Sequence, residues 1–279
     1  MTTTISGRAK GPDLLVRHWP AGDGAWASLL IVHGLGEHSG RYEHVASRLT
    51  GAGLAVRALD LRGHGRSPGP RGATRFEPAV ADLEGLVRRC GERGAPVFVY
   101  GHSLGALIAA LWLVREPAPP AAGAVLSAIG LHSALREQAL KVRAARVLGR
   151  VVPKVRVKSG IDPATLSRDP AVVEAYRNDK LVHDIASLGF GLDALEAIDE
   201  IAAGAPRLAV PLLVIHGGED QLAYASGARE LAALAPAVTT LHVYDGLFHE
   251  IHHEPERERV LGDVVAWIEA RLASASSPS

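Results

Sequence analysis

Residues 97–112 hold the feature that most limits what this chain can fold into. An apolar, β-branched and aromatic run, Val97-Phe98-Val99-Tyr100, leads into Gly101-His102-Ser103-Leu104-Gly105 and then into Ala106-Leu107-Ile108-Ala109-Ala110-Leu111-Trp112. A buried strand, a Gly-x-Ser-x-Gly turn and a buried helix in immediate succession form the context of a nucleophile elbow. The serine sits there on a strained turn, and the two glycines let strand and helix approach closely. Alone, the five-residue pattern is weak in a chain with 30 glycines. The flanking strand and helix give it meaning; without them it would read as a plain Gly-rich turn.

The rest of the chain repeats this alternation. Strands are expected over 13–19, 28–33, 54–60, 97–100 and 122–128, with helices to about 50, over 78–93 and after Ser103. The run Ser28-Leu29-Leu30-Ile31-Val32-His33 is continuously apolar between its two ends, as in a strand covered on both faces. Strand-helix alternation predicts a mostly parallel sheet with helices on both sides. Between 131 and 204 the pattern becomes helical without clear strands, interrupted by Pro153, Pro163 and Pro170. That stretch reads as an inserted helical cap, dividing an α/β core into 1–130 and 205–279. Strands return over 210–216 and 239–244, and an amphipathic helix is expected over 256–272.

Composition excludes several functions. The 279 residues suit one large α/β domain with an insertion, or two small domains, and 47% hydrophobic content is enough for a sizeable core. Thirty basic residues balance thirty acidic ones, which gives no support for nucleic-acid binding. The lone Cys90 excludes an internal disulfide or a cysteine zinc site. Residues 1–8 carry no signal-peptide core, and no apolar run approaches the roughly 18 residues of a membrane span. A cytoplasmic protein is the expectation.

A serine hydroxyl needs a histidine base, and that histidine needs a carboxylate to hold its tautomer. On this fold the chain order is serine, acid, histidine, each at the carboxyl end of a strand. Asp220, just past the 210–216 strand, fits the acid, with Glu219 beside it as a rival; both could be turn residues. His249, past the 239–244 strand, fits the base. His249-Glu250-Ile251-His252-His253 matches His-Glu-x-x-His literally, but a zinc site of that kind requires a helix, which Gly246 and Pro255 oppose. No metal or organic cofactor is expected. For the oxyanion, the peptide N–H of Leu104 follows the nucleophile, and Leu35 in the loop His33-Gly34-Leu35-Gly36 supplies a second donor.

Several stretches together resemble the monoacylglycerol lipase family of the α/β-hydrolase superfamily, the group that also holds lysophospholipase-like esterases. They are His33-Gly34-Leu35-Gly36-Glu37-His38-Ser39-Gly40-Arg41-Tyr42, Gly63-His64-Gly65-Arg66-Ser67, residues 101–105, Glu174-Ala175-Tyr176-Arg177-Asn178-Asp179 and residues 248–254. The resemblance implies Ser103, Asp220 and His249 as the triad and Leu35 and Leu104 as oxyanion donors. It also implies a glycerol pocket at Glu37, Tyr176 and His252. The expected activity is hydrolysis of monoacylglycerols through an acyl-enzyme. A lysophospholipase or short-chain carboxylesterase on the same triad is the alternative, and a non-hydrolytic or binding-only member of the fold is a further rival.

The departures from the family fall in the first half of the cap. Between 131 and 160 stand Arg136, Lys141, Arg143, Arg146, Arg150, Lys154, Arg156 and Lys158 against one acid, Glu137. Leu135, Leu140, Val147, Leu148, Val151 and Val152 are interleaved with them. Such a segment reads either as a face that touches an anionic membrane transiently and admits a lipid chain, or as an inward-packed helix with a solvated basic side.

Overall fold

The computed structural model describes residues 2–6, 13–22, 24–92, 94–133 and 139–276. Leu135, Arg136, Glu137 and the tail beyond 276 lie outside them, as does the side chain of Lys141. The elements in order are β1 (Thr2–Ser6), β2 (Asp13–Trp19), β3 (Ala27–Val32), α1 (Glu43–Gly51), β4 (Leu54–Leu59), α2 (Phe76–Gly91), β5 (Val97–His102), α3 (Leu104–Arg115) and β6 (Gly123–Ser127). Then follow α4 (Ala139–Val151), β7 (Arg156–Lys158), α5 (Pro170–Asn178), β8 (Ile185–Ser187), α6 (Leu188–Gly204), β9 (Leu212–Gly217), α7 (Ala225–Leu234), β10 (Thr239–Tyr244) and α8 (Arg257–Ser276).

Eight strands form one sheet in the order β1-β2-β4-β3-β5-β6-β9-β10. From β4 to β10 every pairing is parallel, and β2 runs antiparallel to both neighbours. The continuous apolar strands follow from the two covered faces. Leu30, Val32, Val97, Val99, Leu212 and Val214 point into a core with α2, α3, α6 and α7. Their alternates Leu29, Ile31, Phe98, Tyr100, Leu213 and Ile215 point into a second core with α1 and α8. Side-chain alternation along a strand thus turns one apolar run into two hydrophobic layers.

The segment expected to be purely helical contains α4, α5 and α6 but also a short antiparallel pair, β7 with β8. Three-residue strands separated by 26 residues that include a helix leave no periodic signal. Strand β1 was likewise not expected. Helix α6 buries Ala197, Ile198 and Ile201 in the core beside α3, so the end of the expected cap is part of the hydrophobic layer. The segment is stitched to the core by His183 N–H donating to Gly36 O (2.9 Å), Ser187 N–H to Gly72 O (2.7 Å) and Glu250 N–H to Leu166 O (2.7 Å).

Candidate active site

Ser103 stands between β5 and α3 with φ 52° and ψ −110°, one of two described non-glycine residues at positive φ. Such a conformation costs on the order of 1–3 kcal/mol and persists only where packing enforces it. The flanking glycines show the enforcement. A Cβ on Gly105 would lie 2.0 Å from Val32 O, and one on Gly101 would lie 2.5 Å from Gly105 O. Helix and strand are therefore too close for any side chain at either position. Ser103 N–H donates to Ser127 O at 2.9 Å, tying the turn to β6.

The loop after β9 brings Asp220 and the loop after β10 brings His249, both buried. His249 Nδ1 contacts Asp220 Oδ2 at 2.7 Å. Asp220 Oδ1 accepts from the peptide N–H groups of Leu222 (2.9 Å) and Ala223 (3.0 Å). Burial alone would raise the Asp220 pKa, but charge on His249 and hydrogen bonds from His216 and His249 hold it below the ordinary carboxylate range. Burial pushes His249 down, yet the Asp220 carboxylate draws it above the usual histidine value. Glu219 is not at this contact.

Ser103 and His249 line two cavities together. The larger, of about 320 Å³, is bordered by Leu35, Leu104, Leu107, Ile161, Phe190 and Leu222. The smaller, of about 20 Å³, is bordered by Glu37, His102, Tyr176 and Glu250. Leu35 borders both and Leu104 the larger. Leu104 opens α3, so its N–H has no intrahelical acceptor. Among the described residues no hydrogen bond engages the N–H of Leu35.

Glu37 and Tyr176 reach the small chamber, but His252 does not. The 3₁₀ turn Ile251–His253 rotates His252 inward. Its ring is fully buried, stacked on Tyr42 (4.9 Å between centroids) and edge-on to His102 (4.7 Å). It borders neither cavity, which corrects the expected pocket trio. Sequence reading missed His102 and Glu250, which take part in the wall instead. His102 is pushed down to about 3 by burial and by His249 beside it, so it faces the chamber as a neutral ring.

Arg41 unites the acids of that chamber. It donates from Nη1 to Glu37 Oε2 (2.7 Å) and in a fork to Glu250 Oε1 (2.5 Å) and Oε2 (2.6 Å). Its guanidinium also lies 4.8 Å from the Tyr176 ring centroid. Burial would raise both carboxyls, but Arg41 holds them ionised, below their ordinary values. Gly34 N–H (2.6 Å) and Tyr42 Oη–H (2.8 Å) donate to the remaining oxygen of Glu37. Glu37, His102 and Glu250 place ligand atoms within 4.8 Å of one another. Arg41 already supplies the positive charge that the two carboxylates require.

The family described as serine aminopeptidase S33, Hydrolase_4, matches residues 24–256. A monoacylglycerol lipase of Mycolicibacterium smegmatis is 39% identical over 88% of this chain and 88% of its own length. A Bacillus subtilis phospholipase, YtpA, is 30% identical over 87% of this chain and 94% of its own. The crystal structure of Paleococcus ferrophilus monoacylglycerol lipase superposes with a TM-score of 0.86 at 33% identity, covering 92% of this chain and 99% of that one. The chain also spans 30% of a longer abhydrolase-domain protein of Dictyostelium discoideum, at 32% identity.

Proposed function

The chain belongs to the Hydrolase_4 family and within it to the monoacylglycerol lipases, and from that premise we propose that its serine ester hydrolase site cleaves monoacylglycerols to fatty acid and glycerol. The observation that carries the reading is the pair of unequal cavities meeting at Ser103 and His249. The larger, with its leucines and Phe190, suits an acyl chain. The smaller holds about one water as it stands and would have to widen to take a glycerol group, for whose hydroxyls Glu37, Tyr176 and Glu250 are the polar partners, because a site built of buried polar groups rejects a ligand that leaves them unpaired.

In this reading Ser103 Oγ attacks the ester carbonyl while His249 Nε2 takes its proton. The Nδ1–H of His249, donating to Asp220, keeps Nε2 free as the base. The N–H groups of Leu35 and Leu104 hold the oxyanion, where one donor is commonly worth about a hundredfold or more in kcat. His249 then protonates the leaving glycerol oxygen, and water repeats the sequence on the acyl-enzyme. Glu37 and Glu250 are held by Arg41, and Glu250 also by His253 Nδ1 at 2.9 Å. No Arg or Lys among the described residues lines the chamber, so a phosphate would find no cation there, which favours a glycerol over a lysophospholipid headgroup despite the phospholipase relative.

The cap would meet the lipid surface. No described helix is long and apolar enough to cross a membrane. Leu140, Val147, Leu148, Val151, Val152, Val155 and Val157 are nevertheless exposed on α4, β7 and the link between them. Arg146 and Arg150 are paired with Asp199 and Glu196, whereas Arg143, Lys154 and Arg156 make no ion pair among the described residues. An apolar face rimmed by free cations supports transient contact with an anionic bilayer.

The test is kcat/KM for a long-chain monoacylglycerol, the matching lysophospholipid and a p-nitrophenyl butyrate. At least a tenfold preference for monoacylglycerol is expected, with all activity lost in Ser103→Ala. A lysophospholipid preference would overturn the substrate assignment, and activity surviving in Ser103→Ala would overturn the site.

A further inference from the structure

His216 is the penultimate residue of β9 and is fully buried, four residues before Asp220. Its Nε2 lies 2.8 Å from Ala223 O and 3.2 Å from Asp220 Oδ2. A carbonyl oxygen only accepts, so Nε2 carries the proton and serves both oxygens from one N–H. Nδ1 is left buried with no hydrogen-bond partner. The ring is thus held in one tautomer with its single donor spent on the triad's carboxylate and on the peptide that follows it.

We propose that His216 is a positioning residue of this hydrolase, the second imidazole that clamps Asp220 in the rotamer and ionisation state His249 requires. The inference rests on Asp220 being the triad's acid. Four donors converge on its two oxygens: Leu222 N–H and Ala223 N–H on Oδ1, and His249 and His216 on Oδ2. Without His216, Oδ2 keeps only the bond to His249, and the carboxylate can rotate about its Cβ–Cγ bond. The peptide carbonyl of Ala223, whose N–H holds Oδ1, loses its donor at the same time. The clamp therefore acts on both oxygens, directly on Oδ2 and through the 220–223 turn on Oδ1.

His216 also moderates the dyad. A donor shared onto Oδ2 spreads the carboxylate's charge and weakens its hold on a His249 proton. Its removal makes His249 more basic, so the acid limb of the rate profile moves to higher pH. A merely structural residue would reduce the amount of active enzyme and leave that limb in place.

The experiment compares His216→Phe, which keeps a ring and removes the donor, with His216→Gln, whose amide N–H reaches the same position. The Phe variant is expected to lose about ten- to a hundredfold in kcat, the range seen when the outer partner of a metal-ligating histidine or carboxylate is removed, with little change in KM. Its acid limb should shift upward, and Gln should restore most of kcat and the original limb. A folded Phe variant with wild-type kcat and an unmoved limb would refute the proposal. Should the Phe variant not fold, ¹⁵N-histidine NMR of the wild-type protein decides: His216 must show a protonated Nε2 and an unprotonated Nδ1, and the opposite tautomer refutes the clamp. Asp220→Asn and Ser103→Ala run alongside. If either retains full activity, the triad assignment itself has failed; if both are inactive and His216→Phe is normal, only this inference has.

Discussion

At the residue scale the site is a set of buried charges that neutralise one another. Arg41 holds Glu37 and Glu250, all three nearly inaccessible. Arg41→Met would leave buried Glu37 without a cation and Glu250 with His253 as its one remaining side-chain partner, and removing one partner of a buried pair costs about 3–5 kcal/mol; urea unfolding should show a loss of that order. The triad makes a second prediction. His249 must be deprotonated to act, and its pKa is raised. The acid limb of kcat/KM should therefore lie above the ordinary histidine value of about 6.5. In Asp220→Asn the attraction is gone, so the limb should move down while kcat falls on the order of 10⁴-fold. A limb unmoved in that variant would deny the coupling. Part of this was legible in the sequence: the elbow context pointed to Ser103, and chain order with strand placement to His249 and to Asp220, with Glu219 left as its rival. The glycerol trio was not, because three histidines within five residues cannot be told apart until the backbone of their turn is known.

At the element scale, contact between elements decides what a glycine does. Gly105→Ala puts a methyl against Val32 O, where β3 and α3 nearly touch. Its cost should reach or exceed the upper end of the about 1–3 kcal/mol usual for overpacking. Gly262→Ala in α8 meets nothing within 4 Å and should instead stabilise by about 0.5–1 kcal/mol. Equilibrium denaturation of both variants checks the opposite signs. The cap carries its own prediction. Leu140→Asp with Val151→Asp should weaken co-sedimentation with anionic vesicles and leave hydrolysis of a soluble p-nitrophenyl ester unchanged. Wild-type binding should weaken as salt is added. Binding unaffected by either change would place the lipid contact elsewhere. The basic composition of α4 was evident in the sequence, but its pairing with Asp199 and Glu196 across α6 was not.

At the scale of the whole molecule, buried histidines set the acid stability. Burial lowers His33, His64, His183 and His252, takes His44 down to about 4 and His102 to about 3. The unfolded chain binds these protons near pH 6.5 and the folded chain does not. Stability should then fall as pH drops from about 6.5 toward 4, by up to about 1.4 kcal/mol per pH unit for each such histidine. His249, with its raised pKa, opposes the trend. Thermal melts across that range test it; a Tm flat from pH 7 to 5 would contradict it. What the sequence determined by itself was local and periodic: two-faced strands, the strand-elbow-helix unit and the order of the triad, all written in side-chain alternation and backbone tolerance. What only the tertiary structure decided was convergence across the chain. Arg41 meets Glu250 from 209 residues away, His252 turns behind the wall that His102 forms, and His216 shares Asp220 with His249. Those contacts depend on how separate loops pack at one end of the sheet, and no spacing along the chain encodes the direction in which a loop side chain points.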